Sequence, residues 1–303
     1  MIRVTVDAFS GLPNPSWVLT GEAASAVVRQ LSAAPEAAAA PDTGYGGLGF
    51  RGVIVEFESD TVAERYGVPP SFRLAGGASR NESKGLELAE QLIRTLPSGG
   101  PAPHLAEGVH RFDKGLADAL VTLMAAAPLL AEVTTEDKAG PEAPPQEAAP
   151  QAVTCFVEFG RFNPGFWNND AHVRSSNNCY NYATNRRTDT FAQPGRASGH
   201  MYTALQCPNV TQAALSDGAH HRFNCFPDSE KPRWLVALVV APNYDYHWYR
   251  KQAEGFWGHK PGSTAARNVD NNNRVIMDPV TCARAPYTQF CGYFYIPRSQ
   301  KVR

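Results

Sequence analysis

The first half of this chain has no cysteine. All six, Cys155, Cys179, Cys207, Cys225, Cys282 and Cys291, lie beyond residue 154, and none forms a Cys-x-x-Cys pair. That spacing argues against a zinc ribbon or a thioredoxin-type redox site. Long apolar runs are also missing. The longest, Trp234 to Ala241, is far too short to span a bilayer and reads as a buried strand, so no membrane partner is expected. The start, Met1-Ile2-Arg3-Val4-Thr5-Val6-Asp7, has neither the basic opening nor the apolar stretch of a signal peptide. Export through the general secretory route is therefore not expected, but paired-looking cysteines pull towards an oxidising compartment, so the compartment stays open between the cytoplasm and export by a non-classical route. Lys and Arg form no tight run, which argues against specific nucleic-acid binding. No internal repeat is present.

Two further patterns exclude ligands. The cluster Gly44-Tyr45-Gly46-Gly47-Leu48-Gly49-Phe50-Arg51-Gly52 precedes its strand, Val53 to Phe57. Phosphate and dinucleotide loops follow a strand and open a helix, so a turn serving that strand is the better reading. His220 and His221, close after Asp217, are adjacent and so lack the helical i, i+4 spacing of a zinc site's histidine pair. No cofactor and no metal is expected.

What is present is a soluble composition, with 43% hydrophobic and 19% charged residues. The formal net charge of −1 hides an asymmetry. Residues 1–150 carry 11 basic against 19 acidic side chains, a net of −8, and residues 151–303 carry 17 against 10, a net of +7. The basic half could attract an anionic polymer, or the two halves could dock on each other.

Residues 132–153, rich in Pro, Ala and Glu, cannot bury enough apolar surface to order themselves and read as a linker. They divide the chain into an acidic α+β domain over 1–131 and a second domain over 154–303. In the first, Ile2, Val4 and Val6 alternate as in a strand, and residues 21–33, 83–96 and 113–126 read as helices. His104 and His110 sit there without ligand partners nearby. In the second, strands are expected at Cys155–Phe159, Trp234–Ala241, His247–Lys251, Arg274–Met277 and Gly292–Ile296.

The run Ser175-Ser176-Asn177-Asn178-Cys179-Tyr180-Asn181-Tyr182-Ala183-Thr184-Asn185 delivers one cysteine to a helix start. The positive end of the helix dipole favours thiolate there, and thiolate is the attacking form. His247 follows the apolar strand, and Asp278, held by Pro279, is placed to orient an imidazole. His259, in a Gly/Pro-flanked loop, is the rival base. Oxyanion donors would be the Cys179 N–H and an amide from Asn168, Asn169, Asn177 or Asn178.

Asn178-Cys179-Tyr180-Asn181-Tyr182-Ala183 resembles the signature of papain-like amidases of the NlpC and CHAP kind. His247-Trp248, then Gly255-Phe256-Trp257 and Asp278-Pro279, resemble the layout of transglutaminase-like domains. The similarity covers roughly residues 155–297 and implies a papain-like fold with a Cys179–His247–Asp278 triad. It implies a thiol-dependent amidase or peptidase acting on a peptide, peptidoglycan or protein amide. The alternatives are a transglutaminase-like acyltransferase and a non-catalytic binding protein on the same scaffold. The first domain resembles no family. Cys179 is expected free, with Cys207–Cys225 and Cys282–Cys291 as candidate disulfides in an oxidising compartment.

Overall fold

The computed structural model describes residues 1–97, 100–101, 111–126, 155–221 and 225–303. The linker reading at 132–153, His104 and His110 lie outside them. The chain divides into two compact units, Met1–Leu130 and Ala131–Arg303, each a mixture of helices and antiparallel sheet. Among the described residues no helix is long and apolar enough to cross a membrane.

In the first unit, strand β1 (Ile2–Asp7) buries Ile2, Val4 and Val6 on one side of its pleat. It runs between β2 (Ser16–Leu19) and β3 (Gly52–Phe57), and β4 (Ser71–Leu74) pairs with β3. All pairings are antiparallel, with Val4 opposite Trp17 on one side and Val55 on the other. Helix α1 (Gly21–Ala33) buries Ala24, Val27, Val28 and Leu31, a stripe at helical spacing. A short α2 (Asp60–Arg65) follows β3. Helix α3 (Glu82–Ile93) lies against β4 and against α4 (Lys114–Ala126), burying Leu88, Ala89, Leu92 and Ile93. Between them β5 (Gly100–Pro101) and β6 (Arg111–Phe112) pair as a short ribbon.

The glycine cluster has a specific task here. Gly52 has φ +130°, and an added Cβ would stand 2.8 Å from the Leu74 carbonyl oxygen. This close approach brings Arg51, fully buried, onto Asp7 at 2.7 Å, while the Gly47 and Gly49 carbonyls accept from its other nitrogen. Arg73 reaches the second Asp7 oxygen at 3.1 Å. Burial pushes the Asp7 carboxyl up, but the two guanidiniums outweigh it and hold the group at about 2.

In the second unit, short helices α5 (Gly165–Asn168), α6 (Ala171–Ser176) and α7 (Cys179–Thr184) precede α8 (Cys207–Ser216). The sheet contains β7 (His220–His221), β8 (Trp234–Ala241), β9 (Asp245–Lys251), β10 (Trp257–His259) and β11 (Gln289–Ile296). Its order is β10-β9-β8-β11-β7, every pair antiparallel. The apolar run predicted as a strand is β8, paired on both sides. Helix α7 lies on β8, β9 and β10, and α8 on β8 and β11.

The disulfides differ from the expected pairs. Cys155 bonds Cys225 and Cys207 bonds Cys291, with Cα separations of 5.2 and 5.3 Å. Spacing does not encode connectivity. Cys291 sits at a β-bulge, where the register of β11 shifts between Phe290 and Gly292. Cys282 is free, its thiol 3.6 Å from the Pro279 carbonyl, and Cys179 is also free.

Two expected strands do not form. Residues 155–159 run beside the sheet without a ladder, tied by the Glu158 N–H to the Arg233 carbonyl. Over 274–277 only a Val269–Val275 bridge forms. There the buried Asp270 carboxylate takes the N–H groups of Asn272, Arg274 and Ala283, turning the chain into a loop.

Candidate functional site

Helix α7 starts where the cap-rich run predicts. The Asn178 side chain accepts the Tyr180 and Asn181 N–H groups, and the Asn181 side chain accepts the Asn178 N–H in return. Every residue of α7 is buried. Tyr180 packs on Trp248 with ring centroids 5.7 Å apart, and Tyr182 lies beneath the Arg250 guanidinium at 4.6 Å. A Cβ on Gly258 would come within 2.1 Å of the Tyr182 hydroxyl, so only glycine admits that side chain under β10.

Cys179 is sealed, with no exposed surface. Its thiol lies 3.9 Å from the Tyr246 carbonyl rather than bonding an imidazole. Burial pushes the thiol well above its ordinary range and the Asp245 carboxylate adds to this, while the Trp248 and Cys179 N–H groups oppose it without prevailing. Desolvation exceeds what one turn of helix dipole returns. At neutral pH the group is therefore held as the thiol.

His247 is buried on β9, next to Tyr249 and Tyr287. Its Nε2 meets His259 Nδ1 at 2.9 Å, and His259 Nε2 meets the Val269 carbonyl at 2.9 Å. Burial pulls the His259 imidazole down to about 3, and Arg267 adds to this against the Val269 bond, so the ring is neutral near pH 7. A carbonyl can only accept, so the His259 proton sits on Nε2 and its Nδ1 accepts from the His247 Nε2–H. The group orienting His247 is thus His259, which the sequence marked only as a rival base.

Asp278 is engaged elsewhere. Its Oδ1 accepts the Val280 N–H at 2.9 Å and the Tyr293 hydroxyl at 3.0 Å, the arrangement of a side chain opening a turn before proline. Three of the four amides considered as oxyanion donors are likewise committed, and Asn169 is exposed. Asn168 brackets the Ala266 backbone, Asn177 donates to the Val173 carbonyl and to Asp189, and Asn178 donates to the Ala192 carbonyl.

Three buried charged residues were not legible as members of this centre. Lys260 Nζ donates to the Arg174, Asn177 and Gly262 carbonyls, tying the segment before α7 to the loop after β10. Asp217 accepts from Tyr180, Gly195 and Ser198. Arg250 donates to the Tyr182 carbonyl at 2.6 Å. No group of three or more His, Cys, Asp or Glu is gathered as metal ligands among the described residues.

The second unit is therefore a disulfide-braced α+β structure whose polar centre is turned inward on its own backbone. No family model matches the chain, and no solved structure matches it. Over 141 residues, 46% of this chain and 93% of the relative, it is 47% identical to insoluble matrix shell protein 1 of Ruditapes philippinarum. The chain belongs to the family of that protein. This relationship overturns the reading as a thiol-dependent amidase or peptidase.

Proposed function

We propose that this chain is a non-catalytic structural protein of an insoluble extracellular matrix, in which it binds matrix components. The relationship to a shell matrix protein across nearly all of that protein's length carries the reading. Two disulfides support it, since such bridges persist in oxidising surroundings outside the cell. A sealed thiol and hydrogen-bonded imidazoles suit a structural core. The papain-like layout belongs to the same proposal, as a scaffold without turnover. It is supported by a helix that begins at Cys179 and lies on the strand bearing His247.

Fractionation of the tissue or cells that make the protein tests this. The protein should remain in the residue left after detergent and weak-acid extraction, and a Cys179→Ala form should partition identically. Recovery solely in the soluble intracellular fraction would sink the proposal.

A further inference from the structure

A cleft of about 200 Å³ opens on the second unit, lined by Gly160, Arg161, Asn163, Phe166, Trp167, Asn185, Trp234 and Arg250, with Cys179 not among them. It has room for one ring-sized group rather than a drug-sized ligand. Three features give it chemical character.

The first is charge. Arg250 is only 6% exposed, yet its described contacts are a carbonyl and the rings of Tyr182 and Trp234, at 4.6 and 5.5 Å, with no carboxylate among them. A buried guanidinium whose charge is offset only by ring faces and a carbonyl dipole is an anion site in waiting. Arg161 is exposed at the cleft and makes no described ion pair. The carboxylates on the flanking segments are engaged elsewhere: Glu158 pairs with Arg233 at 3.0 Å and Glu254 accepts the Phe162 N–H.

The second is the aromatic surface. Phe166 is 40% exposed with the Arg187 guanidinium over one of its faces at 3.5 Å, Trp234 is partly exposed, and Gly160 leaves one face of Trp234 uncovered, since a Cβ there would lie 3.4 Å from the ring. The third is the pair of exposed amides, Asn163 and Asn185. Asn185 projects from the left-handed residue that ends α7, with φ +56°.

We propose that this cleft binds a carboxylated sugar unit of an acidic polysaccharide. Arg250 and Arg161 grip the carboxylate, for which a guanidinium fork is matched. The asparagine amides read ring hydroxyls, and the aromatic faces cover the C–H face of the sugar. A neutral sugar would leave Arg250 without its counter-ion, and a simple aromatic acid would leave the amides unused. The proposal deepens the matrix reading, on which it rests for a polymer as the natural ligand, by naming what the protein grips.

Calorimetric titration of the full chain with a glucuronate-containing oligosaccharide tests it. The controls are its carboxyl-reduced neutral counterpart and a sulfated counterpart. The uronate form should bind, with the neutral form at least about tenfold weaker and binding falling as salt rises. A sulfated form that binds tightly while the uronate does not would replace carboxylate by sulfate and overturn the assignment. Arg161→Ala, at an exposed position, should weaken uronate binding about tenfold with unchanged circular dichroism. Gly160→Leu, which fills the cleft, should abolish binding, and Asn185→Gly should weaken it severalfold while keeping the backbone. Arg250→Lys removes the fork; should it fail to fold, the other three variants decide. Equal binding of acidic and neutral sugars, no binding of either, or binding indifferent to Arg161→Ala and Gly160→Leu would each overturn the proposal. Failure here leaves the fractionation result untouched, so the two readings fail separately.

Discussion

The two units bury cations in different ways. In the first, Arg51 and Arg73 close on one carboxylate, Asp7, at 2.7 and 3.1 Å. In the second, Arg233 pairs with the partly exposed Glu158 at 3.0 Å, but the other two buried cations have no carboxylate among their described partners: Lys260 is held by three backbone carbonyls, and Arg250 by one carbonyl and the face of Tyr182. The first solution ties stability to a titrating acid. The second ties it to loop geometry, braced by covalent bonds that the first unit lacks. Each unit should therefore fail under a different stress.

Reduction gives the largest contrast. The two disulfides close loops with sequence separations of 70 and 84, each stabilising by about 4 kcal/mol in the chain-entropy picture. Dithiothreitol, or paired Cys→Ala substitutions, should release amide hydrogen exchange in β8 and β11 by several orders of magnitude. Exchange in β1 and β3 should stay as it was.

The converse break is Asp7→Asn. It leaves two buried guanidiniums without a counter-charge and should cost about 3–5 kcal/mol in the first unit. The measurement is a urea titration read through the amide resonances of β1 and β3, with those of β8 and β11 unmoved.

Acid sharpens the comparison. The folded His259 imidazole is held at about 3 against an ordinary 6.5, so below pH 6.5 the unfolded chain binds a proton that the folded one does not. Stability of the second unit should fall by about 1.4 kcal/mol per pH unit from 6.5 down towards 3. Asp7, at about 2 against 3.8, behaves as a depressed acid: its contribution is complete above 3.8 and lost as pH falls towards 2. The second unit should therefore soften first. Simultaneous loss of both sets of amide signals near pH 3 would contradict this.

The smallest effects belong to the residues the sequence singled out for chemistry. Cys179→Ala removes one buried sulfur and should cost about 1 kcal/mol. The native thiol should resist iodoacetamide until the domain opens. Asp278→Asn retains an acceptor for Val280 and Tyr293 and should lie within about 0.5 kcal/mol of the parent by thermal unfolding.

Much of the local structure was legible. The stripe Ala24, Val27, Val28 and Leu31 marks α1, the run Trp234 to Ala241 marks β8, and the asparagines before Cys179 mark the start of α7. These signals are local: periodicity, apolar content and cap chemistry act within a turn or two. Residues 274–277 misread as a strand because Val275, Ile276 and Met277 form a short apolar run, while the carboxylate that curls them, Asp270, acts from outside the window. The polar centre was only partly legible. Cys179 and His247 do sit on the predicted helix and strand, but the partner of His247 comes from His259, twelve positions along the chain.

By itself, then, the sequence determined the helices α1, α3 and α4, the main strands β1, β8, β9 and β11, where the cap of α7 falls, and that the cysteines are confined to one half. Tertiary structure alone decided which cysteines pair, since a bulge at Cys291 and the N-terminus of α8 meet only in the folded sheet. It also decided the state of Cys179. A cysteine at a helix start has the local field of a thiolate, but burial removes the water that would stabilise the charge, and desolvation outweighs one turn of aligned peptide dipoles.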